Sequence, residues 1–415
     1  MNANPVDQTE TGAVPKHKSW QSQIKIMVFL VSLAFSTVGF IAFDCFYSGA
    51  IQRTRASNHT NCRTRDPVRY SASKPNCASI EHWGKDAYEF HTNNLGFRDE
   101  RIRDVPLTDA RPRILILGDS FSEGLLAWRD SYVGRITALF PQYDVLNGSV
   151  PGYSPSNYLN TARMVLAQGV DIDEAVVFIG MADVHYEAGR YRDVDASGAV
   201  IGFEGGPGII SEYAKWRLRI ARRLLVTNYL FEFFERVLVG RGYYHLPTEE
   251  SSDMFDMESS AWTYRTVKTD PYPAGYGPLG LEGGIAKEKT KMTLLWQELE
   301  KRNIAISIVV YPYPAQILHD TADSRQVRIW REWCQGKCKR FISLFPAFLA
   351  VKNQCPHSQP GCWYLSFFIF GDYHYNAAGN ALVADMVIES LTEEPPTKRQ
   401  SGFSGRNSAR DWGAH

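Results

Sequence analysis

The chain has 415 residues, 44% of them hydrophobic, with 45 basic residues set against 45 acidic ones. That length holds one large domain or two, and the apolar content supports a full core. The balanced charge argues against a protein held to nucleic acid through phosphate contacts.

Residues 1–25 are polar and read as a cytoplasmic tail. Ile26 to Phe43 is an uncharged run of 18 residues, IMVFLVSLAFSTVGFIAF. As a helix it is roughly 27 Å long, close to the ~30 Å hydrocarbon core of a bilayer. Lys16, Lys18 and Lys25 precede it, as on a cytoplasmic flank, while Arg53 and Arg55 follow it and blur the rule. A transmembrane anchor over residues 26–46 is expected, which places the rest of the chain outside the cytoplasm, periplasmic or extracellular. A cleavable signal peptide is the rival, with small residues at Ser48-Gly49-Ala50. The run is longer than the usual apolar segment of a signal peptide, which favours the anchor.

Cysteine usage agrees with an oxidising compartment. Cys45 falls at the membrane edge. The other six form close couples, Cys62 and Cys77, Cys334 and Cys338, Cys355 and Cys362. Disulfides between nearest neighbours are expected, although spacing alone leaves other pairings open. Cys334-x-x-x-Cys338 is a poor match to zinc-ligand spacing, and nothing else in the chain calls for a metal or a cofactor.

Residues 47–110 are polar and carry Pro67, Pro75 and Pro106; they read as a stalk and lead-in. Strands and helices then alternate. A strand over 114–117 is followed by a helix over 131–140, a strand over 143–146, a helix over 156–168 and an apolar strand over 175–179. Uninterrupted apolar strands with helices between them imply a parallel sheet covered on both faces, an α/β fold. Residues 185–284 break the alternation and form an insertion. Within it Ser211 to Leu238 reads as a helix with a basic side, docked on its own core or lying on a membrane surface. The alternation resumes with a helix over 286–302, a strand over 304–311 and a last helix over 377–391. Residues 392–415 read as a disordered tail, so the core domain spans 111–391.

The chemistry centres on Gly118-Asp119-Ser120, just past the first strand. Ligands of open parallel sheets gather at the carboxyl ends of the strands. If a helix starts beside Ser120, its free N–H groups could stabilise an oxyanion there. A serine hydroxyl also needs a base, and the base an orienting carboxylate. His374 before the last helix, with Asp372 two residues away, is the first candidate pair. Asp183-Val184-His185 has the same spacing after another strand, so His185 competes as base, with Asp183 more suited to bracing the loop. His82, His91, His245, His319 and His357 read as surface or local structure. A dinucleotide-binding reading lacks its Gly-x-Gly-x-x-Gly after the first strand.

The order of these motifs resembles the SGNH or GDSL hydrolase superfamily. The resemblance implies a three-layer, flavodoxin-like α/β fold with Ser120 as nucleophile. It matches Asn147-Gly148-Ser149-Val150-Pro151-Gly152 to the second block, with the Gly152 N–H in the oxyanion hole beside that of Ser120. In the third block this chain reads Gly180-Met181-Ala182-Asp183, and Ala182 stands where the family has an asparagine donor. Loss of one such donor costs on the order of 10² to 10³ in turnover. The Asp372-x-His374 spacing is shorter than the usual Asp-x-x-His. It resembles the membrane-associated branch that takes part in exopolysaccharide O-acetylation, including the alginate acetylation proteins. Thr92-Asn93-Asn94-Leu95-Gly96-Phe97-Arg98 and Val310-Tyr311-Pro312-Tyr313-Pro314-Ala315-Gln316 are less specific parts of the same likeness. It implies an anchored esterase or O-acyltransferase acting on small esters or acylated cell-envelope polysaccharide, alongside other polysaccharide-modifying proteins. The alternative is a non-catalytic glycan-binding or assembly protein with a degraded oxyanion hole, which Ala182 would suit.

Overall fold

Short apolar stretches with no polar break, such as 114–117 and 175–179, need cover on both sides, and in the computed structural model these two lie side by side in one sheet. The structure describes residues 20–57, 62–83, 86–193, 200–202, 224, 226–227, 230, 260–264, 276–277, 279–355, 362–369 and 372–393. The chain divides into two units, one of them carrying the N-terminal helix and the other the sheet.

In the first unit, α1 runs Trp20–Ser57. Its segment Gln23–Ala50 is the one helix among the described residues long and apolar enough to cross a membrane. The side chains of Phe29, Leu33 and Phe35 are exposed along it. Asp44 on this helix is buried and accepts the backbone N–H groups of Val226 at 3.0 Å and Thr227 at 2.7 Å. The rest of the helix expected over 211–238 lies outside the described residues.

The second unit begins with an antiparallel hairpin, β1 (Arg63–Asp66) and β2 (Tyr70–Ser73). Next come β3 (Ala78–Trp83), β4 (Asp86–Thr92) and β5 (Arg98–Asp99). Then β6 (Arg113–Leu117) leads to α2 (Ser120–Glu123) and α3 (Tyr132–Leu139). β7 (Asp144–Asn147), α4 (Pro155–Ala167), β8 (Glu174–Ile179) and α5 (Ala182–His185) follow. A π-helical turn, Tyr186–Arg190, leads into β9 (Tyr191–Asp193), which pairs with β10 (Val200–Gly202). The remaining elements are α6 (Gly280–Glu300), β11 (Ala305–Val310), α7 (Pro314–His319), α8 (Arg325–Cys334) and β12 (Arg340–Ser343). Last are α9 (Phe345–Gln354), α10 (Cys362–Phe367) and α11 (Ala377–Glu393).

The large sheet has the order β12-β11-β8-β6-β7-β5-β4-β3. Its first five strands are parallel. Read in chain order, their arrangement is 2-1-3-4-5, the doubly wound flavodoxin-like order. Alternate residues of one strand supply both faces: Ile114 and Ile116 join one apolar core, Leu115 and Leu117 the other. Helices cover each face, which makes the three layers.

The lead-in differs from the stalk expected for it. β5 joins β7 antiparallel through Arg98 and Asn147, and β4 and β3 continue the sheet. The signal is a period of two in β4, where Tyr88 and Phe90 are buried while Ala87 and Glu89 are exposed. Polar residues and prolines around it masked that alternation. The helix expected from residue 286 starts earlier, at Gly280. Its glycines are contacts rather than breaks: a Cβ on Gly284 would stand 2.8 Å from the Val184 carbonyl oxygen and from Ala188 Cβ. Disulfides join Cys62 to Cys77, Cys334 to Cys338 and Cys355 to Cys362.

Candidate active site

The turn after β6 places Ser120. A Cβ on Gly118 would lie 2.0 Å from Ser122 Oγ, so only glycine lets the chain fold back so closely. Asp119 then caps α2, its Oδ1 accepting the Phe121 N–H at 2.9 Å and the Tyr311 hydroxyl at 3.0 Å. The cap holds Ser120 as the first residue of α2, at the carboxyl end of β6. Burial raises the Asp119 carboxyl, and its two hydrogen bonds and the nearby His374 only partly oppose that.

His374 arrives from the turn before α11, 254 residues further along the chain, and is buried. Its Nε2 stands 2.8 Å from Ser120 Oγ. On the other side of the ring, Nδ1 is 2.7 Å from Asp372 Oδ1, which also accepts the His374 backbone N–H at 3.1 Å. A carboxylate there holds the proton on Nδ1 and leaves the Nε2 lone pair facing the serine.

Asp372 is itself held. The Trp83 indole N–H donates to its Oδ2 at 2.5 Å. Tyr364 Oη accepts the Asp372 N–H at 2.9 Å and donates to the Asp372 carbonyl at 2.7 Å. Burial pushes the Asp372 carboxyl up, but hydrogen bonds to His374, the imidazole charge and the Trp83 indole together outweigh it. The net result lies below the ordinary carboxyl range. Aromatic rings wall the imidazole: Tyr373 at 4.4 Å between ring centroids, Phe121 at 4.7 Å and the edge of Trp83 at 5.1 Å.

Gly152 lies on the loop after β7 with φ +77°, a conformation open to glycine. Tyr191 Oη donates to its carbonyl at 2.5 Å and so fixes the peptide beyond it. Among the described residues, neither the Ser120 N–H nor the Gly152 N–H has a protein acceptor.

The short helix α5 after β8 carries Ala182, Asp183 and His185. Ala182 offers a methyl group and no donor. Asp183 is fully buried; its Oδ2 accepts the Tyr158 hydroxyl at 3.2 Å while its Oδ1 has no partner. Burial, with the charges of Asp119 and Glu288, raises the Asp183 carboxyl well above its ordinary value. Neither residue makes a hydrogen bond to Ser120. The His185 ring packs on Tyr276 at 5.6 Å and Tyr186 at 5.8 Å. Burial first, and the Arg190 charge second, push it down to about 4. The structure therefore joins Ser120, His374 and Asp372 in one hydrogen-bonded line and leaves Asp183 and His185 outside it.

Sequence reasoning missed Trp83 and Tyr364. Trp83 lies in the segment read as lead-in, 289 residues before its partner, and no local spacing points to it. Among the described residues, no cluster of His, Cys, Asp and Glu suits a metal ion.

No protein-family model matches the chain, and no curated protein matches it. Solved structures similar to it include the psychrotrophic esterase EstA from Pseudoalteromonas sp., at 11% identity and a TM-score of 0.33, covering 68% of this chain and 97% of that one. A catalytic mutant of Axe2, an acetylxylan esterase from Geobacillus stearothermophilus, is similar at 12% identity and a TM-score of 0.37, covering 71% and 100%. A GDSL-like lipase from Bacteroides thetaiotaomicron is similar at 8% identity and a TM-score of 0.33, covering 68% and 88%.

Proposed function

We propose that the chain is a membrane-anchored serine esterase or O-acyltransferase working outside the cytoplasm. The observation that carries this reading is the 2.8 Å approach of His374 Nε2 to Ser120 Oγ, with Asp372 behind the imidazole. The anchor segment and the three disulfides support the compartment.

In the mechanism that follows, His374 Nε2 takes the Ser120 proton as Oγ attacks the ester carbonyl. Asp372, ionised, stabilises the imidazolium and keeps its orientation. The Ser120 and Gly152 N–H groups hold the oxyanion. When the tetrahedral intermediate collapses, the ester C–O bond breaks and the departing alcohol takes the proton from Nε2. The acyl-serine is then attacked by water or by a sugar hydroxyl, again deprotonated by His374, and Ser120 recovers its proton. Water makes the protein an esterase, a sugar hydroxyl an O-acyltransferase. The substrate class we infer is an acyl ester of cell-envelope or exported polysaccharide, in line with the Asp-x-His spacing and the anchor.

Treatment of the detergent-solubilised chain with a fluorophosphonate tests this. Labelling at Ser120 is expected, lost in His374→Ala and retained in His185→Ala. The reverse pattern moves the base to His185. No labelling of the folded wild-type protein would favour a glycan-binding role instead.

A further inference from the structure

Three strand ends meet at Ser120, and the third brings no donor at its head. β6 supplies the nucleophile and its N–H, and the loop after β7 supplies the Gly152 N–H. After β8, α5 opens with Ala182, buries Asp183 away, and turns His185 onto Tyr276. The next residue along the chain with N–H donors to spare is Arg190, at the end of the π-helical turn.

Arg190 lies against Gly152. A Cβ on that glycine would stand 2.8 Å from Arg190 Nη1 and 3.2 Å from Cζ. One further bond of about 1.5 Å separates that point from Cα, and Cα–N adds about another 1.5 Å. The guanidinium is therefore within roughly 6 Å of the Gly152 N–H, close enough for one acceptor to lie between them. It lies against two tyrosines, with Cζ 5.0 Å from the Tyr186 ring centroid and 5.6 Å from that of Tyr191, and it also hydrogen-bonds the Tyr186 side chain. Tyr191 is the residue whose hydroxyl holds the Gly152 carbonyl. Among the described residues no carboxylate pairs with Arg190. Its charge is felt on the side of the base as well: it opposes the burial that pushes Tyr373 up, and Tyr373 stacks beside His374.

From this arrangement we infer that Arg190 is a catalytic residue, donating from its guanidinium to the oxyanion that the Ser120 and Gly152 N–H groups also bind. The inference rests on the serine mechanism above and extends it. A guanidinium stays charged throughout the cycle and offers several N–H donors in a planar fork. It meets negative charge that is absent from the ground-state ester and present in the tetrahedral intermediate, so it raises turnover more than affinity. The rival use of the same group is to anchor an anionic substituent of the substrate, which would show as affinity for charged esters alone.

Hydrolysis of a neutral aryl acetate by the full-length chain in detergent separates these. Arg190→Ala is expected to lower kcat on the order of 10²-fold with KM little changed, and guanidinium chloride at millimolar levels to restore part of it. Arg190→Lys should retain an intermediate rate. If Arg190→Ala turns over the neutral ester as the wild type does while Ser120→Ala is inert, the assignment of Arg190 is overturned and the serine mechanism stands. A loss confined to the KM of carboxylate-bearing esters also overturns it, in favour of a substrate anchor. An inert wild type removes both readings together.

Discussion

The indole N–H of Trp83 donates to Asp372 Oδ2 across 289 residues of chain, joining an antiparallel strand of the sheet edge to the turn that carries the imidazole. A hydrogen bond to a charged acceptor contributes about 1.5–3 kcal/mol. Trp83→Phe keeps the ring and removes the donor. It is expected to lower kcat at least about tenfold, and to move the acid limb of the pH–rate profile upward. The sign follows from the carboxylate: without the indole, Asp372 binds a proton more readily and draws more strongly on the imidazole proton. Asp372 has a folded pKa below its ordinary 3.8, so its stabilising contribution is present above that value and fades as pH falls through the depressed one. Steady-state kinetics between pH 5 and 9, as an experimental range of about four units, check the kinetic half.

Ser120→Ala and His374→Ala each are expected to reduce turnover by about 10⁴-fold or more, and the double variant by little beyond either single one. Asp372→Asn should cost about 10⁴-fold by favouring the wrong imidazole tautomer. His185→Ala should stay within a few-fold of wild type, because its ring faces Tyr276 and Tyr186. Strict additivity of the Ser120 and His374 losses would argue that the two do not act as a unit.

Asp183 gives a prediction about stability. Its carboxyl is raised well above the usual value, by burial first and by the Asp119 and Glu288 charges next. The folded state then holds a proton that the unfolded state releases, so stability falls as pH rises from the ordinary carboxyl range toward the raised one. The slope from one such group is at most about 1.4 kcal/mol per pH unit. Asp183→Asn removes that titration without changing the shape of the side chain. Its melting temperature should exceed the wild type's more at pH 8 than at pH 5, as read by thermal denaturation at a pair of pH values about three units apart. An equal difference at both would place the proton elsewhere.

Cys62 and Cys77 close a loop with a sequence separation of 15 and are both buried. A loop of that size restricts the unfolded chain by about 3 kcal/mol. Cys62→Ala with Cys77→Ala should lower unfolding stability by about 2–4 kcal/mol in urea titration, and dithiothreitol should lower the wild type but leave this variant less affected.

Much of the fold was legible because burial leaves a period. The runs at residues 114–117 and 175–179 are apolar throughout, the run at 304–311 is broken only by Ser307, and each holds a parallel strand. The six cysteines joined as nearest neighbours. Ser120, His374 and Asp372 were legible as candidates from the turns they occupy, but Asp-x-His occurs twice, and only the fold separates Asp372-x-His374 from Asp183-x-His185. Trp83 and Tyr364 were not. Each acts through a contact made only after distant segments meet, and a tryptophan in a polar lead-in has no local mark that separates it from a surface ring. The antiparallel edge was lost for a different reason: β4 alternates over only a few residues, between prolines that read as stalk.

The separation of 254 positions between Ser120 and His374 sets when the proposed chemistry can begin. A chain interrupted between Ser343 and His374 already holds every parallel strand, yet on the proposed mechanism its Ser120 remains an ordinary alcohol. On this reading reactivity waits for the turn before α11, and a product that stops short of that turn is chemically silent rather than partly active.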